Sequence, residues 1–243
     1  MARRFLTAWW RNLLMLNYPI EPSVLRHIVP RGTELDTWQG RHYISVVGFL
    51  FERTRVFGVP VPFHRNFEEV NLRYYVRRKA SDGWRRGVAF IKEVVPRSAM
   101  AALARWVYNE NYIACPMSSL VHLPDLAAGV NGRVDYCWKP ESRKYSMSAE
   151  FQHEPDLPAE GSEEEFITEH YWGYVGQRNG STLEYRVEHL RWRGWRGLKA
   201  KLDCDVASFY GDQYCEALGQ PPTSAFIAEG SPVAVFKGEA VNP

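Results

Sequence analysis

Two apolar-rich runs, residues 67–79 and 84–95, are joined by Ala80-Ser81-Asp82-Gly83. Asp-Gly between such runs is a strong hairpin signal, because these residues supply the turn dihedrals that bring antiparallel strands together. A lone hairpin is marginal in water, so the chain must build further strands to cover it. Alternation sorts the first arm. Val70, Leu72, Tyr74 and Val76 face one way and demand a core, while Glu69, Asn71, Arg73 and Tyr75 face the other. That second row carries an acid, an amide, a guanidinium and a phenol, each about 6–7 Å from the next. It is either a solvated sheet face or the polar lining of a barrel. In a barrel, Arg73 would hold Glu69 ionised or hold a ligand carboxylate.

Residues 42–54 predict a long strand. Tyr43, Ser45, Val47, Phe49 and Phe51 share one face, and Ile44, Val46, Gly48 and Leu50 the other. Both faces are largely apolar, which predicts a central strand covered on both sides. Residues 5–18 form an apolar stretch with Trp9 and Trp10, and Pro22 opens a short helix over residues 21–29. Pro96 ends the hairpin, and Ser98 is an N-cap candidate for a helix through Ala99, Ala102, Leu103 and Trp106. Further strands are predicted at residues 132–139, 144–152, 183–190 and 233–241, with residues 160–165 an acidic loop or the first turn of a short helix. Too few strands follow that loop for an independent core, so residues 1–243 read as one domain.

Lys+Arg 30 against Asp+Glu 28 gives a formal net charge of +2. That balance is too even to draw nucleic acid or an anionic membrane to the whole surface. Residues 189–201 do interleave Arg191, Arg193, Arg196, Lys199 and Lys201 with Trp192 and Trp195, a pattern suited to stacking and phosphate contact. The overall charge favours a strand end whose tryptophans cover the core, so nucleic acid is not an expected partner. No run of about 18 apolar residues predicts a membrane span. Cys115, Cys137, Cys204 and Cys215 form no CxxC pair, and no secretory signal is evident. They read as reduced residues of a cytoplasmic protein. The histidines lack metal-ligand spacing, and no GxSxG elbow, phosphate loop or dinucleotide fingerprint occurs, so neither metal nor cofactor is expected. Assembly as a homo-oligomer is left open.

Two further clusters carry candidate binding groups. On a helix, Arg105 and Tyr108 of the stretch ending at Tyr112 share one side. Glu169-His170-Tyr171-Trp172-Gly173-Tyr174, followed by Glu184-Tyr185 and Glu188-His189, gathers acids and phenols on strands. Glu169 and Tyr171 are the candidates there, although half-buried Tyr and Trp with hydrogen-bonded tips are normal in β proteins.

The blocks FLTAWWRNLLMLNYPIEPSVLRHIVP, LDTWQGRHYISVVGFLF, FEEVNLRYYV, RRGVAFIKEVVP, ARWVYNENY, EHYWGYV and LEYRVEHLRW resemble the YqjF-like family of uncharacterised proteins. The resemblance runs from residue 5 to residue 192. It implies an α+β, β-rich domain of the acetoacetate decarboxylase-like fold, a cone-shaped antiparallel β-barrel with flanking helices and a pocket inside. The Glu69, Asn71, Arg73 row would then point inward, with Glu69 matching the decarboxylases' pocket glutamate. Those enzymes form a Schiff base on a lysine seven residues after an arginine, its pKa lowered by a second lysine. Arg105 aligns with that arginine, but Tyr112 stands at the lysine position and Asn111 at the preceding proline. A phenol forms no imine, so the familiar decarboxylation is not expected. Lys92 is the nearby lysine, expected to snorkel at the sheet surface.

These readings converge on a small carbonyl or carboxylate compound, with Arg73 as anion anchor and Glu69 as catalytic acid or base. Asn71, Tyr75, Arg105, Tyr108, Tyr112, Glu169 and Tyr171 complete the expected binding set of a lyase-like enzyme without its lysine. The alternative is a non-catalytic binding or assembly protein using exposed aromatics at Trp9, Trp10, Trp192 and Trp195.

Overall fold

The computed structural model describes residues 3–60, 64–96 and 111–241. Its first seven strands are β1 (Arg4–Pro19), β2 (Glu34–Leu35), β3 (Tyr43–Val56), β4 (Val59–Pro60), β5 (Phe67–Ala80), β6 (Gly83–Val95) and β7 (Tyr112–Ala114). Then come β8 (Met117–His122), β9 (Gly132–Trp138), β10 (Tyr145–Phe151), β11 (Trp172–Gly176) and β12 (Thr182–His189). The last are β13 (Gly194–Arg196), β14 (Leu198–Asp203), β15 (Ser224–Phe236) and β16 (Glu239–Val241).

The predicted hairpin is β5 and β6, paired from Val70↔Val94 to Ala80↔Gly83. Ser81 and Asp82 make its two-residue turn, and Gly83 takes a φ of +122°. Around it a barrel closes in the order β15-β1-β3-β5-β6-β11-β12, completed by β12 pairing with β15 from Val187↔Val235 to His189↔Val233. The joints are antiparallel except β6–β11, a short parallel one at Trp172↔Gly87 and Gly173↔Val88. Closure leaves the ring without a free edge.

The two apolar faces of β3 are explained by what lies on each side. Tyr43, Val47, Phe49 and Phe51 join Leu13, Met15, Phe67 and Tyr75 in the barrel's interior cluster. Ile44 and Val46 join Val70, Leu72, Tyr74 and Val76 outside, against a second sheet ordered β14-β10-β9-β8. Tyr136, Trp138, Met147 and Phe151 of that sheet are fully buried in the contact.

Several elements differ from the sequence expectation. The apolar stretch at residues 5–18 is one 16-residue strand whose alternation breaks at Asn12, with φ 53°. There its register with β3 shifts between Arg11 and Leu14, and Gly230 of β15 faces Arg11 with φ 85°. Such bulges bend a strand and erase its period-2 signature. The helix at residues 21–29 is Pro22–Leu25 continued as a 3-10 turn. Residues 160–165 lead into a helix, Glu163–Thr168, capped by Ser162 Oγ accepting from Glu165 N. The run expected as one strand over residues 233–241 is instead the end of β15, which begins at Ser224, followed by the separate β16. The helix expected from Ser98 lies outside the described residues. Among the described residues no helix is long and apolar enough to cross a membrane. The cysteines are unpaired, and of the four only Cys115 is fully buried.

Candidate functional site

The barrel holds a cavity of about 130 Å³. Leu13, Val47, Phe49, Phe51, Phe67, Phe90 and Trp192 supply much of its apolar wall. Glu69, Asn71, Arg73, Glu93, Tyr112, Thr168, His170, Tyr185 and His189 are polar residues on it. The odd-numbered row of β5 thus faces inward in phase with Phe67. Asn71 Nδ2 donates to Glu69 Oε1 at 3.1 Å, and both residues are buried.

The anticipated Arg73–Glu69 pair does not form. Four residues of strand separate them by about 13 Å, and Arg73 turns instead to donate from Nη2 to the Ile167 carbonyl at 3.0 Å. Its guanidinium carbon lies 5.5 Å from the centre of the Tyr75 ring. Arg73 makes no ion pair among the described residues, and its Nε is buried without a hydrogen-bond partner.

Tyr75 falls outside the cavity lining. Its hydroxyl lies 2.6 Å from Ser45 Oγ, Ser45 donates to Asn17 Oδ1, Asn17 Nδ2 donates to Ser224 Oγ, and Ser224 donates to Glu163. That buried chain ties β5, β3, β1 and β15 together, so the phenol serves as scaffold beneath Arg73. Tyr112 does line the cavity, on β7, parallel to β6 and opposite Glu93. No lysine lines the wall, and the residues left undescribed include none. Lys92 sits on the other face of the sheet. Instead of reaching solvent, its Nζ donates to the Phe209 carbonyl, 4.6 Å from that ring, and burial lowers its pKa.

Glu169 and Tyr171 are brought to each other, away from the cavity. Tyr171 donates to Glu169, and Arg191 Nε lies 3.9 Å from the same carboxylate. Between them His170 faces in, two residues before Trp172, which also lines the cavity. His170 is 7% exposed, and neither of its ring nitrogens has a hydrogen-bond partner. Burial, then the guanidinium groups of Arg86 and Arg73, hold its pKa well below the ordinary value, so the imidazole is neutral. His189 is stacked between Tyr171 at 4.6 Å and Trp192 at 4.1 Å, and burial lowers its pKa too. Glu93, also unforeseen, stands across the hairpin from Asn71 and is 1% exposed. Arg105 and Tyr108 lie outside the described residues.

The tryptophans assigned to an exposed surface are elsewhere. Trp192 and Trp195 are buried, and Trp10 packs its ring 5.3 Å from Phe49 and 6.3 Å from Trp192. Trp9 is half-buried, with the Arg11 guanidinium 4.3 Å from its ring. Among the described residues no group of His, Cys, Asp and Glu is placed to hold a metal.

This closed, almost wholly antiparallel ring is the acetoacetate decarboxylase-like fold. The chain is similar to an acetoacetate decarboxylase-like enzyme from Sphingomonas wittichii RW1, with TM-score 0.68 and 10% identity over 98% of this chain and 93% of that one. It is also similar to the enduracididine biosynthesis enzyme MppR complexed with the condensation product of pyruvate and imidazole 4-carboxaldehyde, with TM-score 0.68 and 14% identity over 97% and 88% of the two chains. Residues 7–232 match DUF2071, an uncharacterized conserved protein family, and the chain belongs to it. It is 30% identical over 193 residues to the uncharacterized protein YqjF of Bacillus subtilis (strain 168), covering 75% of this chain and 72% of YqjF.

Proposed function

We propose that the barrel cavity binds a small carboxylate or carbonyl compound with an apolar body, and that Arg73 is its anion anchor. The observation that carries this is a half-buried guanidinium that makes no ion pair among the described residues, its Nε buried without a partner, on a wall rich in aromatic side chains. A buried charge left unpaired is costly, and a ligand carboxylate would supply charge-assisted hydrogen bonds in return. Phe49, Phe51, Phe90 and Trp192 cover the body of the ligand, and Tyr112 offers a phenolic hydrogen bond. Glu69, oriented by Asn71, is the acid or base for proton transfer beside a carbonyl. Any lyase-like reaction here runs without an imine, because no lysine reaches the cavity. The similarity to MppR, whose ligand derives from pyruvate, supports the same chemical class.

Isothermal titration with butyrate, isovalerate and their methyl esters provides the test. The free acids bind and the esters bind at least about tenfold more weakly. Arg73→Met lowers affinity for the acids by about 10- to 100-fold, as expected for the loss of hydrogen bonds to a charged group. Acid binding that survives Arg73→Met unchanged sinks the proposal.

A further inference from the structure

Buried polar atoms without partners concentrate on the cavity wall: Asn71 Oδ1, Arg73 Nε and both nitrogens of His170. In folded proteins such atoms are rare, and each one calls for a missing partner. Their chemistry differs in a useful way. Arg73 Nε only donates and calls for an anion. Asn71 turns its amide nitrogen to Glu69, which fixes its oxygen on the opposite side as an acceptor. A neutral imidazole offers one N–H and one lone pair, which a single hydroxyl can complement at either nitrogen.

Position links His170 to the anion anchor. The His170 ring lies 4.8 Å from the Tyr75 ring, and the Arg73 guanidinium carbon lies 5.5 Å from that same ring. Tyr75 itself is locked to Ser45, so this platform is rigid. The Ile167 carbonyl, the backbone group that acts on the imidazole, already accepts from Arg73 and stands outside hydrogen-bond geometry to either ring nitrogen. Phe166 meets the imidazole at 90°, with centroids 5.7 Å apart, so aromatic packing surrounds a group whose polar atoms remain unused.

We infer that the ligand is a hydroxycarboxylate, its acid on Arg73 and a neighbouring hydroxyl on the His170 imidazole, which makes His170 the residue that selects hydroxylated acids over their plain counterparts. This rests on the reading of Arg73 as anion anchor and adds a second contact to it. A site built to hydrogen-bond a hydroxyl rejects the analogue lacking it, because its own polar atoms then stay unpaired.

The probes are 2-hydroxyisovalerate and isovalerate, titrated against the full chain and against His170→Phe and His170→Gln. The wild type prefers the hydroxy acid by about tenfold or more. His170→Phe abolishes the preference by weakening the hydroxy acid far more than isovalerate, and raises the melting temperature by about 2–4 °C, since it removes an unpaired buried polar group. His170→Gln, which keeps a donor and an acceptor, retains most of the preference. Equal binding of both acids with Arg73 dependence intact overturns this inference and leaves the anchor standing. A preference that persists in His170→Phe also overturns it. Failure of both acids to bind overturns both readings.

Discussion

Glu184→Gln is expected to lower stability by about 3–5 kcal/mol, seen as a fall in the urea midpoint at neutral pH. Glu184, buried on β12, accepts from Arg78 Nε at 2.6 Å and Nη2 at 3.0 Å, and from Arg85 Nη1 at 2.5 Å. Arg78 and Arg85 are direct partners across the two arms of the hairpin. One carboxylate therefore fastens both arms to the strand that closes the ring. Arg85 keeps Asp82 as a second partner at 2.8 Å, so most of the loss falls on Arg78, whose side chain is only 18% exposed. The acid response has a definite sign. Burial works to raise the pKa of Glu184, but hydrogen bonds from Arg78, with Tyr174 and Arg85, outweigh it and hold the group below its ordinary 4.5. A depressed folded value means full stabilisation above about 4.5 and loss as pH falls through the lower folded value. The midpoints of wild type and Glu184→Gln should therefore converge in acid. Equal midpoints at neutral pH would mean that the clamp adds no net stability.

The same hairpin shows how far a sequence carries the reader and where it stops. Its turn and the inward phase of Glu69, Asn71 and Arg73 follow from alternation, because β5 runs along β3 without a register break, whereas β6 bulges opposite Leu72 and Arg73. The ring closure was harder to read. β1 bulges at Asn12 against β3, so it holds no single phase, β15 turns through a positive φ at Gly230, and the pairing of the two strands joins residues more than two hundred positions apart. Side-chain partners were the least legible. Tyr75 shares the face of Arg73, yet Ser45 claims its hydroxyl, and only the register of β3 against β5 reveals this. Glu169 and Tyr171 are an acid and a phenol that satisfy each other, and His170 between them faces the cavity. The available signal was phase: His170 matches Trp172, while its neighbours match solvent-side partners such as Arg191.

Gly48→Val offers the complementary result, a loss of stability that spares the cavity. A Cβ at Gly48 would stand 2.6 Å from Tyr136 Cδ2, 2.8 Å from Cγ and 3.0 Å from Met147 Sδ. The Tyr136 ring cannot give way, because it is fully buried and its hydroxyl donates to the Asn12 carbonyl at 2.8 Å. Two branches added there must push the outer sheet off the barrel, and overpacking of this kind costs about 3 kcal/mol. Val47 and Phe49 line the cavity, so residue 48 points the other way by the pleat of the strand. Calorimetry should show a lowered melting temperature, while titration of the folded protein with isovalerate returns the wild-type Kd. A change in Kd as large as that of Arg73→Met would mean that the outer sheet shapes the cavity, and that the two faces of β3 are not independent.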